Sequence, residues 1–384
     1  MKKLIYITFG DQYSGIYQSQ VIDVCSFYEE HLDIKTKLIS FVPYIYYKKN
    51  KQLIKSQKKE TIILPMIPSR NHWYYLYGSL LLPFLFKSLF KNINIISRGA
   101  WITKSLTILK KIGFKLHVIY DGRGAVKAEW EEYIGTDISQ SNIQKATLAE
   151  RDSVLLTDRR IAVSSKLIEY WRENYGYSSS NHEIIPCTIN KKILTQTDKP
   201  KTNNNLKIDF QNPVIVFSGG ADKWQSFNLI VEFAEKVLSY NYGFSFLFLT
   251  HEKKEIAELI KKYPDKIDHT WVKPEEVNSY LKLCDYGLLL RENSVTNRVA
   301  SPTKLAEYIA CGLIPIISDN IGDFSDWLIR KKIAVDHRHF LKSIDLFTQK
   351  PSLAVKRKNK NFAKANFLKE NYKEQYIKLL RQPN

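Results

Sequence analysis

The chain has 384 residues, of which 44% are hydrophobic and 25% charged. This hydrophobic content excludes an intrinsically disordered protein, and the length predicts two domains of roughly 150 to 200 residues each. The formal net charge of +19 indicates a surface that attracts anions, so the candidate partners are nucleic acid, anionic lipid and phosphorylated small molecules.

The apolar run over residues 4–9 is too short for a signal-peptide core and predicts a first β-strand. No uninterrupted apolar stretch reaches the length of about 18 residues that a membrane span requires. The cysteines form no Cys-x-x-Cys motif, which argues against a zinc site or a disulfide framework and favours the reducing cytoplasm. They are Cys25, Cys187, Cys284 and Cys311.

A basic and aromatic segment lies in the first half of the chain. Tyr44, Tyr46 and Tyr47 precede the lysine-rich residues 48–59, and the apolar residues 73–86 follow. This pairing is typical of a protein that contacts the anionic inner face of a membrane. A solvated basic loop followed by a core helix fits it equally well, and both interpretations stay open.

Short β-rich runs alternate with amphipathic segments, which predicts parallel sheets. In the first half the predicted strands are residues 4–9, 61–64, 93–97 and 116–120. After a polar stretch over residues 190–205 the alternation restarts, with strands at residues 214–218, 244–249, 286–290 and 314–317. We therefore predict a first Rossmann-like domain over residues 1–190, a linker over 191–206, a second Rossmann-like domain over 207–361 and an amphipathic C-terminal helix over 362–384.

The most informative stretch begins at Ser301 and runs as Ser-Pro-Thr-Lys-Leu-Ala-Glu-Tyr-Ile-Ala-Cys-Gly into an apolar strand. Serine favours the N-cap, proline the first helical position and glycine the position after the last turn, so Ser301, Pro302 and Gly312 predict a short helix. The free N–H groups and positive dipole at its start suit a diphosphate. Lys304, in the first turn, is unfavourable to the dipole but would help to bind an anion.

Glu307 lies five residues beyond Pro302, about 7 to 8 Å along the axis at ~1.5 Å per residue. A carboxylate at that distance can accept both hydroxyls of a ribose whose phosphates sit at the helix start. A capped helix with one exposed glutamate is the alternative, and it is a common structure.

This stretch resembles the donor-site signature of glycosyltransferase family four, in the branch that ends in Glu-Tyr-Leu-Ala-x-Gly-x-Pro-Val-Ile. Other segments fall in the order that the family predicts: residues 10–15, 97–99, 121–124 with Glu129 following, 161–164, 184–187 and 217–225. The resemblance implies an α/β protein with the GT-B fold, in which two Rossmann-like domains with parallel sheets face each other across a cleft. It also implies a retaining transferase that moves a sugar from a nucleotide diphosphate donor to a glycan or lipid-linked acceptor in cell-surface polysaccharide biosynthesis.

The resemblance further implies roles for residues of the second domain. Glu307 would hold the donor ribose, and the diphosphate would be held by Ser301, Pro302, Thr303 and Lys304. Lys223, after the Gly219-Gly220 turn, would neutralise the leaving group, and an ordinary surface lysine is the alternative. Arg291 ends a predicted strand, where open α/β sheets place ligand groups, so it is a second phosphate candidate and Arg298 a third.

In the first domain, the loop from Gly10 to Gly15 would border the catalytic crevice, since glycines permit close approach of a ligand to the backbone. A tight strand-to-helix turn without ligand contact is the alternative. Asp121 and Arg123 end a predicted strand and are candidates for gripping the acceptor or the donor sugar. An Asp–Arg ion pair that supports the loop is an equal alternative.

The sequence departs from the family at two positions. The first of two glutamates spaced eight apart is replaced by Val299, and an arginine common after the first glycine of the turn is replaced by Gly220. The chain has no Asp-x-Asp triplet, so we expect no metal and no cofactor beyond the nucleotide-sugar donor, with a helix dipole and basic residues in the place of a metal.

Two other functions compete with transfer. A nucleic-acid-binding protein, or a transferase that acts on nucleic acid, would account for the net charge, but the basic residues are dispersed and no recognised nucleic-acid module occurs. A catalytically silent scaffold that only binds its ligand is the third hypothesis.

Overall fold

The computed structural model describes residues 3–66, 93–133, 140–195, 206–220, 223–251 and 254–381. The chain divides into two compact units. The first comprises Met1–Pro186 and Tyr372–Asn384, and the second Cys187–Asn371. The division at residue 187 lies close to the predicted boundary at 190, and most of the predicted linker lies outside the described residues.

A seven-stranded parallel sheet forms the centre of the first unit, in the order β3-β2-β1-β4-β5-β6-β7. Its strands are β1 (Lys3–Phe9), β2 (Lys35–Pro43), β3 (Ile62–Met66), β4 (Ile93–Arg98), β5 (Leu116–Gly122), β6 (Arg159–Ala162) and β7 (His182–Ile184). The described helices between them are α1 (Gly15–Tyr17), α2 (Asp23–Leu32), α3 (Tyr47–Gln57), α4 (Ala100–Lys111), α5 (Val126–Glu132), α6 (Gln140–Leu156) and α7 (Ser165–Tyr175). A π-helical turn, Gln18–Ile22, joins α1 to α2.

Both faces of this sheet are buried, as in parallel sheets generally. Along β1, Leu4 and Tyr6 pack into one apolar cluster, whereas Ile5 and Ile7 pack into another. Side chains alternate between the two faces of a strand, so a continuous apolar run supplies both clusters at once.

A six-stranded parallel sheet forms the centre of the second unit, in the order β10-β9-β8-β11-β12-β13. Its strands are β8 (Val214–Ser218), β9 (Ser245–Leu249), β10 (Ile267–Thr270), β11 (Tyr286–Leu289), β12 (Ile314–Ile317) and β13 (Val335–Asp336). The described helices are α8 (Lys192–Thr195), α9 (Phe227–Ser239), α10 (Lys254–Lys262), α11 (Pro274–Leu281), α12 (Val295–Arg298), α13 (Thr303–Cys311), α14 (Ser325–Arg330), α15 (His337–Lys342) and α16 (Leu353–Asn366). The two all-parallel sheets confirm the prediction of two Rossmann-like domains.

The prediction of a single helix over residues 362–384 is wrong. Helix α16 ends at Asn366, a 3₁₀ turn spans Lys369–Tyr372, and α17 (Lys373–Leu379) follows in the first unit. The helix stops because the carbonyl of Phe367 accepts a hydrogen bond from the N–H of Ile189 at 2.9 Å, and this pairing replaces the next helical turn. Amphipathic periodicity continued across the break, so the sequence pattern did not reveal it.

The strand order reverses between β1 and β4 in the first sheet, and between β8 and β11 in the second. Open α/β sheets bind their ligands at the carboxyl ends of the strands at such a reversal. Gly10 and Gly99 follow the two strands at the first reversal, and Gly219 and Arg291 lie just beyond the two strands at the second. In the part of the chain that the structure describes, no helix has the length and apolar character needed to cross a membrane. The apolar residues 73–86 lie outside the described residues.

Candidate active site

Helix α13 carries the predicted donor-site signature, and its C-terminal end is as predicted. Gly312 adopts a left-handed conformation (φ +90°), and its N–H donates to the carbonyl of Ile309. The N–H of Leu313 donates to the carbonyl of Tyr308 at 3.0 Å, which completes a Schellman motif.

The start of α13 differs from the prediction, because Ser301 is not its N-cap. Pro302 occupies the cap position, and the helix begins at Thr303. The hydroxyl of Ser301 instead accepts a hydrogen bond from the N–H of Cys187 at 2.9 Å. Ser301 thus anchors the segment before the helix to a residue 114 positions earlier in the chain.

Lys304 extends from the first turn of α13 to the end of β8. Its ammonium donates a hydrogen bond to Oε1 of Gln225 at 2.8 Å and lies 4.7 Å from the centroid of the Phe217 ring. It also lies directly against Gly219, where a Cβ atom would overlap it. The structure therefore brings Lys304 and the Gly219-Gly220 turn together.

Arg291 follows β11 and is 8% exposed. Its main-chain N–H donates to the hydroxyl of Ser318 at 2.9 Å, and its guanidinium donates to the carbonyl of Trp224. Since Trp224 neighbours Gln225, Arg291 and Lys304 both bind the 3₁₀ turn Lys223–Gln225. The side chain of Lys223 is exposed on that turn.

Glu307 is half-buried on α13. Burial raises the pKa of its carboxyl, and the positive charge of Lys304 opposes that rise. Among the described residues, the carboxylate has neither a hydrogen bond nor an ion pair. Val299, at the position of the family's first glutamate, is only 3% exposed and contributes an apolar side chain. Arg298 is exposed at the end of α12.

In the first unit, Asp121 is fully buried at the end of β5. Its carboxylate accepts a hydrogen bond from the hydroxyl of Tyr6 at 2.6 Å and forms an ion pair with Nε of Arg123 at 2.7 Å. Nη1 of Arg98 lies 3.6 Å from the same carboxylate, and Nε of Arg98 lies 3.7 Å from that of Asp11. Asp121 and Arg123 therefore form an ion pair, as in the alternative interpretation of these two residues, and Arg98 places a second positive charge beside the same carboxylate.

Asp11 belongs to the loop between Gly10 and Gly15. Burial raises the pKa of its carboxyl, and the charge of Arg98 opposes that rise. Gly10 adopts φ +83°, and its N–H donates to the carbonyl of Phe41 at 2.9 Å. The hydroxyl of Ser14 caps α1, which begins at Gly15. The loop is thus a tight strand-to-helix turn whose acid faces Arg98, at the end of the neighbouring strand.

A second carboxyl group in this unit has a strongly raised pKa. Burial, the nearby Glu150 and Glu132 raise the pKa of Glu129 to about 7. The carboxylate lies against Gly124, where a Cβ atom would overlap Oε1. Glu150 accepts a hydrogen bond from the N–H of Lys127 at 2.9 Å at the start of α5.

Four residues of these two clusters were not predicted as site residues. They are Tyr6, Arg98, Gln225 and Tyr308, whose hydroxyl accepts a hydrogen bond from the N–H of Ser218 at the end of β8. Arg98 ends β4, so the rule that identified Arg291 would also have found it. Gln225 and Tyr308 carry no such signal, because their roles depend on partners on other elements.

No protein-family model matches the chain, and no curated protein matches its sequence. Solved structures do resemble it. A sucrose-phosphate synthase from Thermosynechococcus elongatus gives a TM-score of 0.70 at 12% identity, with 99% of this chain and 98% of that one covered. The pneumococcal O-GlcNAc transferase GtfA, in complex with UDP and GlcNAc, gives 0.64 at 10% identity, with 98% of each chain covered.

A UDP-N-acetylglucosamine 2-epimerase also resembles the chain, with a TM-score of 0.58 at 9% identity and coverage of 98% of this chain and 95% of that one. Since fold alone does not determine function, the activity must be argued from the site. The chain has the GT-B fold, the architecture of two Rossmann-like domains that its sequence resemblance implied.

Proposed function

We propose that the protein is a glycosyltransferase that uses a nucleotide diphosphate sugar as donor. The observation that carries the proposal is the meeting of Lys304, Arg291 and the N-terminus of α13 around one turn at the β8/β11 reversal. Three positive features at the carboxyl ends of a parallel sheet favour an anionic ligand. The resemblance of residues 301–318 to a donor-site signature supports the same conclusion.

In this proposal the second unit binds the donor nucleotide. The diphosphate contacts the segment from Ser301 to Lys304, and the carboxylate of Glu307 accepts hydrogen bonds from the ribose hydroxyls. The absence of a side-chain partner for Glu307 among the described residues supports this role, because a half-buried carboxylate without partners is costly.

Transfer would proceed by departure of the nucleotide diphosphate as the acceptor hydroxyl attacks the sugar. Negative charge grows on the leaving group, and preorganised cations and helix N–H groups stabilise it without a metal. We propose retention of configuration on the family resemblance. Full activity in the presence of EDTA, and NMR of the product's anomeric proton, would test these two features separately.

We propose a glycan or lipid-linked acceptor and a role in cell-surface polysaccharide synthesis, again from the resemblance. In the first unit, the guanidinium of Arg123 is partly exposed and would contribute to sugar binding. The carboxylate of Asp121 is fully buried, so Asp121 would contribute only through Arg123. Substitution Arg123→Gln is then expected to raise the KM for a sugar substrate.

Thermal stability in the presence of UDP, GDP or ADP tests the donor site directly. A nucleotide at about 100 times its dissociation constant stabilises a protein by about 2.7 kcal/mol. Glu307→Ala should abolish most of this shift, whereas Glu232→Ala, on the exposed face of α9, should leave it unchanged. No shift with any nucleotide, or an equal shift in both variants, would refute the assignment.

Slow hydrolysis of a nucleotide sugar without acceptor would distinguish a transferase from a silent scaffold. Conversion of UDP-N-acetylglucosamine to its 2-epimer, with no release of sugar, would instead indicate the chemistry of the related epimerase.

We also propose that the protein lies in the cytoplasm and contacts the anionic inner face of a membrane. Residues 35–59 contain eight lysines and no Asp or Glu. Within them the turn Tyr44–Tyr46 exposes Tyr44 by 64% and Ile45 by 71%, and α3, with exposed lysines, follows at once. An exposed apolar tip beside a basic helix suits an anionic bilayer surface.

Sedimentation with vesicles tests this contact. The protein should bind equimolar phosphatidylglycerol and phosphatidylcholine at low salt and dissociate at high salt. Ile45→Ser should weaken binding by about tenfold, because an isoleucine contributes roughly 1.5 kcal/mol or more when buried. Leu346→Ser is the matched control, since Leu346 is also 71% exposed but lies in the second unit. Equal binding of the two variants would argue against the contact.

A further inference from the structure

The ammonium of Lys304 occupies the space beside Gly219 that a side chain would otherwise fill. Cε of Lys304 would lie 3.2 Å from a Cβ at position 219, and Nζ would overlap it. Gly219 also adopts φ +144°, a region that other residues rarely enter. The backbone conformation therefore favours glycine here, and the absence of a Cβ leaves room for the lysine.

Gln225 and Phe217 hold the ammonium in this position. The hydrogen bond from Nζ to Oε1 of Gln225 measures 2.8 Å, and the ring of Phe217 lies beneath the cation at 4.7 Å. A lysine side chain has many rotamers, so these contacts restrict a group that would otherwise sample many positions.

The helix dipole disfavours a cation at this location. Lys304 lies in the first turn of a helix, where the dipole repels positive charge. Arg291, 8% exposed, binds the carbonyl of Trp224 in the same turn that supplies Gln225. A bound diphosphate would interact favourably with both side chains and with the helix N-terminus.

We infer that Gln225 is the positioning residue that holds the ammonium of Lys304 over the Gly219 turn, where it can bind the leaving diphosphate. The exposed Lys223, to which the family resemblance assigns this role, is then dispensable for diphosphate binding. The inference rests on the proposed donor site and identifies the group that neutralises the phosphate charge there.

Three single variants with similar side-chain volume test this assignment: Lys304→Met, Gln225→Met and Lys223→Met. The probe is UDP, GDP or ADP, whichever raises the Tm of the wild type, together with the corresponding free nucleoside. Hydrogen bonds to charged groups predict about a tenfold or greater loss of diphosphate affinity in Lys304→Met. We expect a loss of about three- to tenfold in Gln225→Met and less than about twofold in Lys223→Met. Nucleoside affinity should stay unchanged in all three.

The double variant Lys304→Met/Gln225→Met distinguishes positioning from general structural support. If Gln225 acts through Lys304, the double variant should bind the diphosphate no more weakly than Lys304→Met alone. Lys304→Arg keeps the positive charge and should retain more affinity for the diphosphate than Lys304→Met. This comparison shows whether the loss of diphosphate affinity reflects the lost charge or misfolding.

Four outcomes would overturn the inference: unchanged affinity in Gln225→Met, a loss in Lys223→Met equal to that in Lys304→Met, additive losses in the double variant, or equal loss of nucleoside and diphosphate affinity. In each case the wild type still binds nucleotide, so the proposed function survives. If the wild type binds no nucleotide, the proposed function and this inference fail together.

Discussion

The hydroxyl of Tyr308 accepts a hydrogen bond from the main-chain N–H of Ser218 at 3.0 Å. It also donates to the carbonyl of Leu288 at 3.4 Å. The register of β8 with β11 ends at the pair formed by Gly287 and Val216, and the hydroxyl bridges the two strands just beyond it. One side chain of α13 thus ties the candidate donor helix to both strands at the point where the strand order reverses.

We predict that Tyr308→Phe lowers the free energy of unfolding by about 1–3 kcal/mol, because it leaves the buried N–H of Ser218 without a partner. Tyr286→Phe is the matched control. Its hydroxyl makes a 3.4 Å, partly buried hydrogen bond to the carbonyl of Phe347, and its loss should cost less. Chemical denaturation measures both, and equal losses would contradict the bridging role.

Gly287 lies against the ring of Tyr308, where a Cβ atom would overlap Cγ and Cδ2. Tyr308 is 0% exposed and has no space into which to retreat. We therefore predict that Gly287→Ala destabilises the protein by about 1–3 kcal/mol through overpacking. A Tm equal to that of the wild type would show that the helix shifts freely.

Asp121→Asn removes the negative charge that faces Arg98 and Arg123 in the interior of the first unit. Removing one partner of a buried ion pair typically costs about 3–5 kcal/mol, and we expect a loss near the lower end because Arg98 and Arg123 are partly exposed and Asp11 remains. Asp152→Asn serves as control. Its carboxylate is 18% exposed, whereas Asp121 is fully buried, so loss of its 3.5 Å ion pair with Lys104 should cost less. Similar denaturation midpoints for the two variants would refute the structural role of Asp121.

Glu129 predicts a pH-dependent stability. Its folded-state pKa of about 7, raised by burial and by Glu150, exceeds the ordinary glutamate pKa of 4.5. The protonated form therefore stabilises the fold, and this contribution is complete below the unfolded pKa and lost as pH rises through the folded pKa. Glu129→Gln stays uncharged, so its stability relative to the wild type should rise by about 1–2 kcal/mol between about pH 5.5 and pH 8.5.

Glu131→Gln, on the same helix, controls for the Glu129 measurement. Its side chain is 45% exposed and forms a 3.9 Å ion pair with Lys127. The difference in stability between this variant and the wild type should change less with pH than that of Glu129→Gln. A flat difference for Glu129→Gln as well would place the pKa of Glu129 near its ordinary value.

The local features of the candidate site could be predicted from the sequence. Apolar runs bounded by polar residues mark the strands that precede Gly10, Gly219 and Arg291. The left-handed C-cap at Gly312 was predictable, because the hydrogen bonds of such a cap join residues that are close together in the sequence. The cap at the other end was not predictable, since Ser301 forms its hydrogen bond with Cys187 instead.

By itself, the sequence determined the alternation of strands and helices, the two parallel sheets and the position of the capped helix, because each depends on interactions between near neighbours. Only the tertiary structure decided which charged groups meet. Lys304 reaches Gln225 across 79 positions, and Asp121 reaches Tyr6 across 115. Periodicity and capping carry no information about such partners, since these contacts form only when the packed sheets bring distant strand ends together.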